Sequence, residues 1–244
     1  LALVALGLVL WWLLSDDEDE TAAVDTTTTT TTVVATTTAP PTTEAPPTAP
    51  PTTQVDGGLT SDEVAQVVFP YPETSRRFDD PVAAVQAFAT ELVGFTEPVL
   101  GAFSQGDQRS GEVEVRPRPD GPVTTVLVRQ LGADDSWWVL GAQTADIQVD
   151  QPAAGAAVAS PMRLVGTARA FEGTVEVLLH RDGDVAPIAT GFVTGGGGEM
   201  APFDGELTFR APAEPYGAVV LRTTSEEDGS VFSATVVRIG FRAG

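Results

Sequence analysis

The chain of 244 residues contains no cysteine. That absence excludes disulfides, thiolate metal sites, a cysteine nucleophile and a lipid-modified cysteine anchor, so stability must come from packing. Lysine is absent too. All 13 basic residues are arginine, set against 34 acidic ones for a formal charge of −21. A polyanion is repelled by such a field, and neither globular segment carries a basic stripe, which excludes nucleic acid as a partner and disfavours anionic lipid headgroups. Asparagine is missing and isoleucine scarce. Because the codons for Lys, Asn and Ile are AT-rich, the usage points to a GC-rich, actinobacterial-like genome, with salt adaptation as the competing explanation. Histidine occurs once, at His180, and its expected neighbours are the hairpin residues Arg181-Asp182-Gly183-Asp184, so no Ser-His-Asp triad is visible.

Long apolar runs are confined to Leu1–Leu14, which is apolar apart from Gly7 and ends in Trp11-Trp12-Leu13-Leu14 before the acids Asp16 to Glu20. The segment reads as the end of a membrane span, with the paired Trp at headgroup level. Its length of roughly 21 Å is short of a bilayer core about 30 Å thick, so the span is expected to begin upstream. A cleaved secretory signal is the competing reading, but five acids stand where a small-residue cleavage site belongs. Residues 15–57 follow as a Thr/Pro-rich stalk that repeats Ala-Pro-Pro-Thr at 39–42, 45–48 and 49–52. Such composition cannot bury enough apolar area to offset its ordering entropy. It predicts a disordered spacer outside the cell, with or without O-glycosylation.

Residues 58–145 predict a small α+β domain. Asp80-Pro81 supplies an N-cap and a proline at the first helical position, and Val82, Val85, Phe88, Ala89, Leu92 and Val93 recur at helical spacing. Strands are expected at 111–116, 123–131 and 136–143, divided by Pro119-Asp120-Gly121-Pro122 and Gly132-Ala133-Asp134-Asp135. The layers resemble cystatin-like or NTF2-like folds. Trp137 and Trp138 are the candidate binding residues. Neighbours in a strand face opposite ways, so one ring should enter the core and the other lie outside as a platform for a polymer or protein.

Residues 146–244 predict an all-β sandwich, with strands at 162–168, 174–180, 187–193, 206–210, 218–224 and 232–239. Val175, Val177 and Leu179 share a core face, and Thr174, Glu176 and His180 are expected to face outward. Asp182-Gly183 and Asp228-Gly229 carry the turn chemistry of hairpins. In order, Ser160-Pro161, Val165-Gly166, Phe171-Glu172-Gly173, Ala201-Pro202-Phe203 and Asp228-Gly229-Ser230 resemble the immunoglobulin-like domain of bacterial spore-germination and sporulation proteins, the Gmad2 family, over about residues 146–241. The resemblance implies a small β-sandwich carried on surface proteins and lipoproteins. The run Gly195 to Gly198 departs from that pattern as an insertion-like loop. At Phe171-Glu172-Gly173 the expected arrangement is a buried ring and a carboxylate that accepts nearby backbone N–H groups.

No residue set carries chemistry by spacing. Ser160 precedes proline and lacks a nucleophile elbow. Asp134-Asp135 and Glu226-Glu227 read as solvated turn charge, and Asp182 with Asp184 falls short of a calcium loop. No catalytic, metal or cofactor residues are therefore assigned. The whole reads as a mainly β, non-enzymatic envelope protein: a single-pass anchor in the lipid bilayer, a stalk, and extracytoplasmic modules, monomeric as an ectodomain, that meet an envelope protein or cell-wall polymer. The alternative is an enzyme or enzyme-regulatory ectodomain with a pocket in an NTF2-like domain and Trp137 or Trp138 at its mouth.

Overall fold

The computed structural model describes residues 58–242; the expected anchor and most of the stalk lie outside them. Among the described residues no helix is long and apolar enough to cross a membrane. The fold is mainly β, built on one large, mostly antiparallel sheet. Two short helices come first. In α1 (Ser61–Val64), Thr60 and Glu63 form a reciprocal capping box that satisfies two donors left free at the helix start. In α2 (Pro81–Phe88), the Asp80 carboxylate accepts from Ala83 N at 2.7 Å, the N-cap that the sequence predicts. The helix widens into a π-turn (Ala89–Val93) and ends at Gly94, whose φ of +91° a side chain would resist.

The strands follow as β1 (Val99–Leu100), β2 (Ser104–Gln105), β3 (Ser110–Arg116), β4 (Thr124–Leu131), β5 (Ser136–Thr144), β6 (Ile147–Gln151), β7 (Ala157–Val158), β8 (Met162–Ala168), β9 (Thr174–Arg181), β10 (Ala189–Thr194), β11 (Ala201–Leu207), β12 (Tyr216–Thr224) and β13 (Val231–Phe241). The principal path runs β1-β3-β4-β5-β13-β12-β9-β10, and β6, β8 and β11 form a second layer. The meander of the first segment thus continues straight into the sandwich. Its join is narrow, one register pair between Ala142 and Val236, because β5 veers away through the turn into β6. Threonine hydroxyls replace the missing ladder bonds there. Thr235 Oγ1 accepts from Thr144 N at 3.3 Å and donates to Ile147 O at 2.8 Å, and Thr124 Oγ1 accepts from Ala234 N at 3.1 Å.

Because side chains alternate along a strand, β12 and β13 serve two cores. Ala218, Val220, Ala234 and Val236 join Phe69, Val85, Phe88, Leu92, Val113 and Val126 under the helix. Val219, Leu221 and Ile239 join Leu164, Val175, Val177, Leu179 and Phe203 inside the sandwich. A strand buried on both faces reads as a continuous apolar run, which Ala218-Val219-Val220-Leu221 is.

Two expectations need correction. The strand expected at 206–210 is β11 at Ala201–Leu207; it pairs only with β8, and an edge position tolerates Pro202. His180 shares its face with Glu176, as alternation demands, but it is not outward. The residue is 2 % exposed, since the amino-terminal segment roofs this face; nearby, the Tyr71 hydroxyl donates to Asp184 O at 2.8 Å.

Candidate functional site

Polar side chains gather at the two ends of the sandwich. At the end where β9 turns toward β10, Arg238 and Asp182 are each 3 % exposed and form a bidentate pair at 2.5 and 2.8 Å. The remaining guanidinium donors reach Ala65 O, Val64 O and Gly217 O, and the plane lies 5.1 Å from the Tyr216 ring centroid. All five N–H groups are satisfied. Val64 and Ala65 close α1, so this arginine also caps a helix C-terminus. Arg222 does the same for the π-turn, donating to Val93 O at 2.7 Å while its Nε meets Glu176 at 2.9 Å. Both arginines lock the amino-terminal segment to the sandwich.

The opposite end is open. Here the β5–β6, β8–β9, β10–β11 and β12–β13 turns converge with the β3–β4 loop around a cleft of about 410 Å³, within the range of small-ligand sites. Main-chain bonds tie the turns together: Ala170 N to Gly196 O, Gly195 N to Gly173 O, and Arg169 N to Asp146 O. Two ion pairs line the walls. Arg169 Nε meets Asp146 Oδ1 at 2.7 Å, with the arginine 52 % exposed and the aspartate 9 %. Arg118 Nη1 meets Glu227 Oε2 at 3.1 Å, and its guanidinium lies 5.5 Å from the Phe232 centroid. Thr224 adds a hydroxyl and Glu226 a carboxylate without a partner among the described residues, while the buried Thr223 hydroxyl pairs with Ser233 Oγ at 2.8 Å and Ser225 Oγ accepts from Glu227 N at 3.1 Å. The neighbouring turn is fixed by Asp228, whose carboxylate accepts from Ser230 N at 3.0 Å and Ser230 Oγ at 2.7 Å. Those bonds hold its pKa below the usual carboxylate range.

Phe171 stands at this mouth, 49 % exposed, where the sequence predicted a buried ring. Glu172 adopts the left-handed conformation, φ 53° and ψ 18°. Its exposed carboxylate takes no hydrogen bond from the described residues, contrary to expectation. Phe171, beside this left-handed residue, stands outside the core. The sequence marks residues 171–173, but burial of an aromatic is the commoner outcome, and only the convergence of distant turns distinguishes this site.

Trp137 and Trp138 occupy opposite faces of β5, as alternation requires, but both faces are covered. Trp137 lies in the helix-side core, edge-on to Phe103 at 5.0 Å between centroids. Trp138 is fully buried with Leu59, Val67 and Leu131, beneath the Arg77 guanidinium at 4.8 Å. Its indole N–H has no partner among the described residues. The outward platform expected of this pair is therefore not formed. The space between α2 and the sheet is packed with apolar side chains. A broader trough of about 870 Å³ follows the seam between β5 and β13, lined by half-buried aliphatics such as Leu127, Leu140 and Val237 and by polar residues such as Thr125, Gln143 and Gln148, and it shares Arg169 and Asp146 with the cleft. Its lining holds no aromatic ring.

His180 is a buried imidazole whose ring nitrogens lack hydrogen-bond partners among the described residues. Burial pushes its pKa down to about 4; the nearby Val185 main chain and the Asp184 charge oppose this without prevailing. Such a group is neutral at neutral pH and is sealed off from the cleft by the length of β9.

No curated protein and no solved structure matches the chain. One family model does, and it ends just before β13. Residues 146–230, which form the second layer, β9, β10, β12 and most of the cleft turns, match the Gmad2 family, described as the immunoglobulin-like domain of bacterial spore germination.

Proposed function

We propose that this chain is a membrane-anchored, extracytoplasmic envelope protein that catalyses nothing and displays its immunoglobulin-like module to an envelope protein or cell-wall polymer. The observation that carries the reading is the cleft at the turn end, where five chain segments meet around a half-exposed aromatic ring. Exposed aromatics beside fixed polar groups are the usual anchors of recognition surfaces. The Gmad2 match supports an extracellular-type setting, and the apolar residues 1–14 followed by Thr/Pro repeats support an anchor and spacer. Residues 58–145 form an α+β layer that stiffens the sheet from which the module projects. From residue 58 onward 26 acids face 13 arginines, a net charge of −13, which favours a soluble, monomeric ectodomain.

The enzyme alternative rested on a concave pocket between helix and sheet, and that space is filled with side chains. Crosslinking of intact envelopes, followed by recovery of the full chain, tests the display reading. A specific protein or wall fragment should be captured, and less of it with Phe171→Ala. Capture of nothing, or capture indifferent to that change, would sink the reading.

A further inference from the structure

The chemistry of the cleft narrows what it can hold. Of its five charged residues two are positive and three negative, and four are already paired as Arg118 with Glu227 and Arg169 with Asp146. A cationic ligand would meet the guanidinium groups, and an anionic one would meet three carboxylates on a chain of strongly negative charge. Neither sign is selected. The pairing leaves directional hydrogen-bond capacity in place of net charge, since Arg169 uses only its Nε on the Asp146 carboxylate. Its Nη groups remain as a planar fork. The side-by-side donors of a guanidinium and the two acceptor oxygens of a carboxylate can each serve neighbouring hydroxyls, and the Thr224 hydroxyl both donates and accepts. Phe171 supplies the apolar element. The negative face of an aromatic ring attracts the polarised C–H groups on one side of a pyranose.

We propose that this cleft binds a neutral saccharide chain, with a sugar ring stacked on Phe171 and its hydroxyls bridged by Arg169 and the acids of the β12–β13 turn. The assignment rests on the display reading above and specifies its ligand. Long strand-like peptides are less well served, because the walls are turns carrying side-chain forks and not a strand edge that can extend the sheet.

Isothermal calorimetry on the full chain, held in a detergent without a sugar headgroup, provides the test. The probes are hexamers of N-acetylglucosamine, of glucose and of galacturonate. At least one neutral hexamer should bind, with affinity unchanged between about 50 and about 500 mM salt because no net charge is neutralised. Phe171→Ala should weaken it roughly tenfold, the equivalent of one stacked ring. Phe171→Trp should retain or tighten binding, a rescue that a merely structural role would not produce. Arg169→Lys, which keeps charge but loses the fork, should weaken binding by a factor of about five. Phe192→Ala, at a 72 % exposed ring on β10, should change nothing. Binding of the galacturonate alone with steep salt dependence would overturn the assignment, and so would binding indifferent to Phe171→Ala. If no hexamer binds while crosslinking still captures a protein through Phe171, the saccharide assignment falls and the display reading stands.

Discussion

The two ends of the sandwich use arginine in opposite ways. At the β9–β10 end Arg238 is desolvated and every donor is matched by Asp182 or a main-chain carbonyl. At the cleft end Arg169 and Arg118 each hold one carboxylate and keep other donors in water. Burial explains the difference, because a buried charge left partly unsatisfied is strongly destabilising, whereas an exposed one is served by solvent. The saturated cluster therefore joins segments of the chain, and the unsaturated one remains available to a ligand.

The sharpest way to break the comparison is to remove what the closed end joins. A fragment starting at residue 146 uncovers the helix-side faces of β12 and β13, with Val220 and Val236, each worth about 1.5–3 kcal/mol when fully buried. Arg238 and Arg222 lose their helix-end partners at the same time. This fragment should melt far below residues 58–244, which should themselves unfold in a single calorimetric transition. Two resolved transitions, with the isolated sandwich equally stable, would show that the shared core contributes nothing.

Next in size is the direct contrast between the two arginines. Arg238→Ala strands the buried Asp182 carboxylate and should cost about 3–5 kcal/mol, read by urea denaturation of residues 58–244. Arg169→Ala removes a half-exposed arginine but leaves the largely buried Asp146 without it, and should cost about 1–2 kcal/mol, clearly less than at Arg238. Similar losses at both positions would erase the distinction between the two ends.

Much of the fold was legible because it follows local rules. Asp80-Pro81 begins α2, Asp182-Gly183 and Asp228-Gly229 turn where glycine φ values are +83° and +71°, and β8 runs over Met162–Ala168 as predicted. What stayed hidden depends on partners distant in sequence. Alternation put Trp137 and Trp138 on opposite faces, but whether a face is roofed depends on Leu59, Val67 and Phe103, which no spacing links to the pair. His180 failed for the same reason. The doubly buried β12 left a sign, its unbroken apolar run, which alternation on β9 alone could not interpret. The cleft left almost none, since its lining comes from five separate turns and Phe171 resembles any core aromatic in sequence.

The buried His180 sharpens the comparison by a smaller amount, through pH. An unperturbed imidazole titrates near 6.5, and burial lowers this one to about 4. The folded chain thus favours the neutral ring. Its contribution is fully present above pH about 6.5 and is lost as pH falls from there toward 4, where the unfolded chain takes up a proton that the fold refuses; the loss is on the order of 2 kcal/mol. His180→Leu removes the unpaired ring nitrogens and should flatten this part of the stability profile relative to the natural chain, while leaving saccharide binding at the distant cleft unchanged. An unaltered slope between pH 6.5 and 4 would mean that the imidazole is solvated in the fold.

The smallest expected effect separates ordinary turn strain from strain that serves the cleft. Glu97, Asp135 and Glu172 all adopt left-handed backbone, at φ 50°, 53° and 53°, where a side chain costs about 1 kcal/mol relative to glycine. Replacing either Glu97 or Glu172 with glycine should relieve most of that cost, offset in part by the greater freedom glycine gives the unfolded chain. Each change should therefore stabilise residues 58–244 by about 0.5 kcal/mol, a rise in melting temperature of about 1–2 °C for a chain of this size. The two should differ in binding. Glu172 fixes the turn that holds Phe171 at the cleft mouth, so glycine there lets the ring sample other directions and should weaken a stacked sugar by a factor of about two to three. Glu97 lies in the connection before β1 and is not part of the cleft lining, so its replacement should leave binding untouched. If Glu172→Gly stabilises the fold and binding holds at full strength, the left-handed turn is ordinary loop geometry and Phe171 needs no fixed presentation.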